Sequence, residues 1–142
     1  MPEATHAVTI RRPVEAVFAF VADGENGPQW RPGVVDIRRV SGDGVGTRYA
    51  QGVKGPFGRR IAADYEITVF ELNRRLEFQT STGPARPHGR FDFDVADGGT
   101  RLTFTLDAQL TGLPKLLMSS MIQNTMNDEV KNLERLQLLL ES

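Results

Sequence analysis

The pattern of apolar and polar residues divides the chain into an early strand and helix, a strand-rich middle and a C-terminal helix. Residues 5–12 alternate as in a strand, and Pro13 ends that pattern. Residues 14–22 then repeat apolar side chains at helical spacing, which predicts a helix. A cluster of Gly, Asp, Asn and Pro follows, and residues 27–30 fit a second short helix.

Residues 34–110 change to the two-residue period of β-strands. We predict strands at 34–40, 46–53, 59–72, 76–82, 90–95 and 101–107, separated by turns rich in Gly, Pro and Asn. In the longest of these strands, five residues are expected to share one face: Ile61, Ala63, Tyr65, Ile67 and Val69. Short connections between consecutive strands predict an antiparallel meander.

The last two predicted strands alternate most clearly, and two registers remain open for their hairpin. If residues 98–99 form a two-residue turn, Phe93 lies opposite Phe104. If residues 97–98 form the turn, Phe93 lies opposite Leu102. Both registers place the aromatic residues on one face and pair opposite charges on the other. A three-residue loop would mix the faces, so we reject it unless a bulge restores the alternation.

Residues 112–141 predict one long amphipathic helix. Apart from Pro114 in the first turn, where proline is tolerated, the segment contains no helix breaker. Its apolar side chains fall on one side: Met118, Ile122, Met126, Val130, Leu133, Leu136 and Leu140. So wide an apolar stripe needs a surface to cover, and we expect the concave face of the predicted sheet to provide it.

Composition fits one globular domain over residues 1–142, with 39% hydrophobic and 25% charged residues. The absence of cysteine excludes disulfides and Cys-ligated metal. A formal net charge of −1 gives no electrostatic reason to expect nucleic acid or an anionic membrane as a partner. No apolar run reaches the ~20 residues of a membrane span, and no signal-peptide pattern is present. We therefore expect a cytoplasmic protein without membrane insertion, acting as a monomer or homodimer.

Four short segments are specific enough to compare with known families. They are PVEAVF at 13–18, WRPGV at 30–34, ELNRRLEF at 71–78 and GGTRLT at 98–103. Together with the order of one strand, one or two helices, six strands and a long helix, they resemble the START-like superfamily. This superfamily, also called Bet v 1-like or SRPBCC, includes bacterial polyketide cyclase/dehydrase-like proteins, which the chain resembles most.

The resemblance implies an α+β helix-grip fold, in which an antiparallel sheet of about seven strands wraps around a long C-terminal helix. One or two short helices would follow the first strand. It also implies a cavity between sheet and helix that binds a small, largely apolar molecule, lipid- or polyketide-like. An alternative function is an aromatase/cyclase-type enzyme that acts on a polyketide-like substrate in the same cavity. A third is a protein-interaction module with a vestigial cavity. We expect no cofactor and no metal.

Three residues are candidate acid–base groups for the enzyme alternative: Glu129, Tyr65 and His88. Glu129 lies within the apolar stripe, where a carboxylate is costly unless it is paired, protonated or directed into a hydrated cavity. The simpler explanation is that the helix rotates and leaves Glu129 at the edge of the stripe. His88 adjoins a Gly/Pro loop that could line the mouth of a cavity, although a surface or structural role is simpler. Neither histidine has partners at a metal-ligand spacing.

The other candidates would bind the ligand. Tyr49, Gln51 and Tyr65 are polar points on faces predicted to point inward, where they would orient a ligand or bond to backbone and water. Arg60 enters the central strand and would meet a polar ligand head, although solvation at a strand end is simpler. The apolar lining is expected from Phe78, Phe91, Phe93, Phe104, Met118, Ile122 and Met126.

Overall fold

The computed structural model describes residues 3–83, 85–108 and 115–142, with the backbone but not the side chains of Pro56 and residues 115–119. The strands are β1 (Glu3–Ile10), β2 (Val34–Ser41), β3 (Arg48–Lys54), β4 (Arg60–Ala62), β5 (Tyr65–Glu71), β6 (Arg75–Thr80), β7 (His88–Ala96) and β8 (Gly99–Asp107). The helices are α1 (Val14–Ala22), α2 (Lys115–Lys131) and α3 (Leu133–Glu141). Short 3-10 helices span Gly24–Gln29 and Pro56–Gly58.

One antiparallel sheet contains all the strands of the described residues. Its order is β1-β8-β7-β6-β5-β3-β2, and the short β4 pairs with β3 outside that path. In the last hairpin Phe93 lies opposite Leu102, and Ala96 lies opposite Gly99, which confirms the register with the turn at residues 97–98. Gly98 adopts a φ of 76°, a left-handed conformation that glycine accepts without steric cost.

The predicted single strand at 59–72 is wrong, because the chain leaves the ladder between β4 and β5. There the Asp64 carboxylate accepts a hydrogen bond from the Gln51 N–H at 2.9 Å, and its own N–H donates to the Thr82 hydroxyl at 2.8 Å. Such local side-chain bonds offer the backbone an alternative to the ladder. Sequence alternation alone does not reveal this interruption.

A bulge in β5 corrects a second part of that prediction. Ile67 pairs with Phe78, but the next paired residue is Val69, opposite Glu77. The extra residue turns Val69 away from the face that Ile67 occupies. Phe70 packs against the core in its place.

The predicted C-terminal helix is two consecutive helices with a one-residue interruption at Asn132. Asn132 keeps helical angles (φ −61°, ψ −14°), and its N–H donates to the Glu129 carbonyl at 3.1 Å. This tighter, i−3 bond marks a local 3-10 turn inside an otherwise helical segment. The predicted start of the helix, at residues 112–114, lies outside the described residues.

The predicted apolar stripe faces the core wherever the structure describes its side chains. Met126, Val130, Leu133 and Leu136 are buried, and Ile122 and Leu140 pack partly buried against them; Met118 lies outside the described side chains. The same helices cover the exposed edge of the sheet. Gln123 exchanges hydrogen bonds with the Glu3 backbone, and the Gln137 amide donates to the Thr9 carbonyl at 2.9 Å. These bonds occupy backbone groups near both ends of the edge strand β1, which hinders pairing with another chain there. The predicted α+β helix-grip fold is confirmed.

Candidate functional site

A cavity of about 40 Å³ lies between the inner face of the sheet and the segment that joins α1 to β2. Its aromatic wall consists of Trp30, Tyr49, Tyr65, Phe78, Phe91 and Phe104, and its polar lining includes Asp23, Arg31 and Gln51. No described side chain of α2 or α3 lines the cavity, which differs from the sheet-and-helix cavity that the resemblance implies. This volume is smaller than the ~150 Å³ of an apolar cavity that takes up benzene.

The aromatic wall results from strand alternation in β6, β7 and β8. Phe91 and Phe104 are opposite each other in the ladder, and their rings stack with centroids 4.2 Å apart. Phe78 lies opposite Gly89, where a Cβ would come within 2.1 Å of the ring, so the glycine allows the ring to lie flat on the sheet. Trp30 meets Phe91 and Phe104 edge-on, at 6.3 and 6.5 Å. The result is a continuous aromatic surface.

Tyr65 brings a polar group to this apolar surface. Its ring stacks on Tyr49 with centroids 4.9 Å apart, and its hydroxyl forms no hydrogen bond within the described residues. Burial raises the pKa of the Tyr65 phenol above its ordinary value of 10, and the nearby Arg31 charge opposes that shift only in part. Tyr65 is therefore a neutral hydrogen-bond donor at physiological pH.

Tyr49 has a structural partner for its polar end. Its hydroxyl accepts a hydrogen bond from the Gly24 N–H at 3.1 Å and lies 3.4 Å from the Ala22 carbonyl. Gly24 is pressed against both tyrosines, because a Cβ there would come within 2.4 Å of the Tyr65 hydroxyl. This contact joins the start of the 3-10 helix to the sheet.

An ion pair between Arg31 and Glu129 connects the α1–β2 segment to α2. The Arg31 Nε–H donates to Glu129 Oε1, and Arg31 Nη1 donates to Gln51 Oε1 at 3.1 Å. The Gln51 amide nitrogen donates in turn to the Ala63 carbonyl at 3.1 Å. The Arg31 and Glu129 side chains are 17% and 24% exposed. Pairing explains why the apolar stripe tolerates Glu129.

His88 and Arg60 are not brought to the cavity. His88 lies on the outer face of β7, with Nε2 2.9 Å from Glu77 Oε1 and Nδ1 3.6 Å from Asp107 Oδ1. Arg60 forms a two-point ion pair with Asp36, at 2.8 Å for both bonds. Hydrogen bonding to Arg60 holds the pKa of Asp36 below its usual value. Both residues are thus engaged at the surface.

Among the predicted site residues, six line the cavity: Tyr49, Gln51, Tyr65, Phe78, Phe91 and Phe104. Phe93 instead packs on Phe18 of α1, with centroids 4.9 Å apart. Ile122 and Met126 pack in the core outside the lining, and Met118 lies outside the described side chains. Sequence reasoning missed Trp30 and Arg31 as site residues, although both stand in the WRPGV segment. The missing information is the contact of Arg31 with a residue 98 positions later.

The described part of the chain provides neither a membrane-spanning helix nor a metal cluster. None of its helices combines the length and the apolar content needed to cross a membrane. Nowhere in residues 3–83, 85–108 and 115–142 do three His, Asp or Glu side chains come close enough together to hold a metal ion.

Solved structures share this architecture. TTHA0849 from Thermus thermophilus superposes with a TM-score of 0.83 at 24% identity, covering 98% of this chain and 97% of that one. A START superfamily protein from Mycobacterium smegmatis gives a TM-score of 0.75 at 17% identity, covering 97% and 98%. The di-domain ARO/CYC StfQ from the steffimycin biosynthetic pathway gives 0.82 at 12% identity, covering 99% of this chain and 50% of that one. At these identities the likeness shows the fold alone.

Sequence comparison extends over nearly the whole chain. A search among curated proteins found no match. The model of one family, described as polyketide cyclase / dehydrase and lipid transport, matches residues 1–141. The START-like resemblance drawn from the four segments is thereby confirmed. The chain belongs to the polyketide cyclase/dehydrase and lipid transport family.

Proposed function

We propose that the protein binds a small, largely apolar ligand, lipid- or polyketide-like, and that the ligand presents a hydrogen-bond acceptor to the Tyr65 hydroxyl. The observation that carries this proposal is a largely buried tyrosine, 8% exposed, whose hydroxyl forms no hydrogen bond within the described residues and which stands in a wall of aromatic rings. Tyr49 and Gln51 already bond to the protein, so Tyr65 is left to orient a ligand. An apolar cavity with few directed polar groups is typical of small-molecule sites.

The small volume of the cavity means that binding includes movement of one wall. The sheet side is fixed by the ladders that join β5, β6, β7 and β8. The opposite side is the 3-10 helix Gly24–Gln29 with Trp30 and Arg31, which is held to the other elements by hydrogen bonds that involve side chains and not by a backbone ladder. A 3-10 helix also has poorer hydrogen-bond geometry than an α-helix. Outward displacement of this segment would enlarge the cavity without breaking a strand ladder.

The enzyme alternative has less support. Acid–base catalysis requires groups within reach of the substrate, with pKa values near the working pH. Of the three candidates, only Tyr65 lines the cavity, and burial moves its pKa further from neutrality. Glu129 is bound to Arg31, and His88 lies on the outer face. This arrangement favours binding over aromatase/cyclase chemistry.

Two naphthalene derivatives of similar size test the proposal. 2-Acetylnaphthalene offers a carbonyl acceptor, and 2-ethylnaphthalene offers none. Trp30 is the single tryptophan of the chain and lines the cavity, so its fluorescence reports binding of either compound. Because one hydrogen bond is worth about 1 kcal/mol, Tyr65→Phe should weaken binding of the acetyl compound about fivefold and leave the ethyl compound unchanged.

Thr68→Ala, an exposed change in the same strand, serves as the matched control and should alter neither affinity. Oleate measured in parallel distinguishes a lipid-like from a polyketide-like preference. The proposal fails if no compound perturbs Trp30 fluorescence, or if Tyr65→Phe affects both naphthalenes equally.

A further inference from the structure

The turn between β3 and β4 presents an unusual residue at its tip. Phe57 is 101% exposed, and its backbone adopts φ 60°, ψ 25°. The left-handed region is unfavourable for a bulky side chain, and a fully exposed ring gains nothing from packing to offset it. No contact within the described residues therefore explains a phenylalanine at this position. Contact of its ring with a partner outside the protein would explain it.

Cationic residues flank Phe57 along the chain on both sides. The segment KGPFGRR at residues 54–60 contains no acidic residue. Lys54 and Arg59 are exposed and form no ion pair within the described residues, whereas Arg60 is neutralised by Asp36. The net charge of −1 for the whole chain hides this local positive cluster.

A second loop adds to the cluster. Gly83 lies against β4, where a Cβ would be 2.5 Å from the Ala62 carbonyl oxygen, so this loop lies beside the strand that follows the β3–β4 turn. The loop carries Arg86, which is exposed and bonds through Nε only to the Gly83 carbonyl, at 3.1 Å. This end of the sheet thus combines one projecting aromatic ring with three exposed cations.

We propose that this end, named here the docking tip (Lys54, Phe57, Arg59 and Arg86), attaches the protein reversibly to an anionic lipid bilayer surface. The Phe57 ring enters the interfacial layer, and the three cations meet anionic headgroups. Phe57 is the one aromatic residue of a turn that has Gly55 before it and Gly58 after it, and a single projecting ring of this kind can insert into a membrane surface. Single-stranded nucleic acid would require several stacking rings along a positive groove, and the tip has only one. The inference concerns the outer surface and does not depend on ligand binding in the cavity.

Vesicle co-sedimentation tests the docking tip. Wild-type protein should bind vesicles of phosphatidylcholine containing phosphatidylserine, bind pure phosphatidylcholine much less, and dissociate as salt rises. Phe57→Gly should lower the partition coefficient about tenfold, because the apolar ring is lost. Glycine accepts the left-handed backbone, so this variant should keep or raise the melting temperature, which separates lost docking from unfolding.

Leu72→Ala provides a matched control. Leu72 is 69% exposed at the turn between β5 and β6, next to the positive-φ residue Asn73, and its removal should leave vesicle binding unchanged. Lys54→Glu combined with Arg59→Glu should abolish the preference for phosphatidylserine. The inference is overturned if wild-type protein ignores anionic vesicles at low salt, or if Leu72→Ala and Phe57→Gly reduce binding equally. It is also overturned if the tip binds a single-stranded oligonucleotide and no vesicle. Naphthalene binding is measured without vesicles, so either proposal can fail alone.

Discussion

Strands β6, β7 and β8 carry opposite chemistry on their two faces. The inner face presents the rings of Phe78, Phe91 and Phe104 to the cavity. The outer face carries ion pairs across the strands, among them Arg75 with Asp92 at 3.0 Å. Because side chains alternate between the two faces of a strand, one residue lines the cavity and its neighbour forms an ion pair on the surface.

The two faces also differ in how their charges are supported. On the outer face, Asp92 pairs with both Arg75 and Arg90, so the loss of one arginine leaves another. On the inner side, Glu129 has Arg31 as its only cation among the described residues, with both side chains less than a quarter exposed. The two carboxylates are similarly exposed, but Arg75 and Arg90 are 41% and 45% exposed and Arg31 is 17% exposed. Pairs with a solvated, redundant arginine contribute little, whereas removing the only, largely buried partner of a charge is costly. The comparison therefore predicts that substitutions on the inner side lower the free energy of unfolding strongly and that substitutions on the outer face lower it little.

The largest effect should come from the aromatic wall. Phe104 is 2% exposed and packs against Trp30, Phe78 and Phe91. Phe104→Ala should lower the free energy of unfolding by about 3–5 kcal/mol in a urea titration, from lost burial and the hole left behind. Thr103→Ala, one residue away and directed outward, should stay within about 0.5 kcal/mol of wild type. Similar losses for both variants would contradict the assignment of the two faces.

A double-mutant cycle sharpens the comparison of charges. Arg31→Met should destabilise the protein by about 2 kcal/mol, since it leaves Glu129 without its cation and Gln51 Oε1 without its donor. Adding Glu129→Gln should recover part of that loss, and the coupling energy between the two changes should be about 1–2 kcal/mol. The same cycle on Arg75 and Asp92 should give about 0.5 kcal/mol or less. A coupling energy for Arg75 and Asp92 as large as that for Arg31 and Glu129 would show that a second arginine does not reduce the contribution of the outer pair.

Much of this arrangement could be predicted from the sequence, because alternation and periodicity are local. The hairpin aromatics and the stripe of α2 and α3 follow from spacing, and the structure confirms their faces. The interruption before β5 could not be predicted, since it depends on Asp64 reaching the backbone of Gln51 in another strand.

The candidate site was less predictable for the same reason. Glu129 was recognised as a charge in the wrong place, but its partner Arg31 lies 98 residues away in a segment that local patterns describe only as irregular. His88 adjoins a Gly/Pro loop and sits in a strand, and only the face it occupies removes it from the cavity. Alternation predicts that Tyr65 points inward, and its side chain lines the cavity. That its hydroxyl has no partner within the described residues depends on the Gly24 N–H bonding to Tyr49 instead.

The smallest predicted effect is on the pH dependence of stability and comes from ionisation of the Tyr65 phenol on the inner face. The chain has two tyrosines, and burial raises the pKa of Tyr65 above the ~10 of an exposed phenol. The folded state then holds this proton more tightly than the unfolded state. Below pH ~10 both states are protonated, and the stability that Tyr65 contributes is fully present. As the pH rises above ~10, the unfolded state ionises first, so stability falls until the folded pKa is passed.

Urea unfolding at about pH 8 and about pH 10.5 measures this loss, which for one phenol is below about 1 kcal/mol. Tyr65→Phe should reduce the difference in the free energy of unfolding between the two pH values by that amount, whereas outward Thr103→Ala should leave this difference unchanged. Phenolate absorbance gives a second measurement, because Tyr65→Phe should leave the phenolate absorbance of the native protein at the higher pH unchanged. A lower phenolate absorbance in native Tyr65→Phe would mean that Tyr65 ionises in the folded state and that water reaches it. In that case the hydroxyl is solvated before any ligand arrives, and a ligand acceptor would gain little by replacing that water.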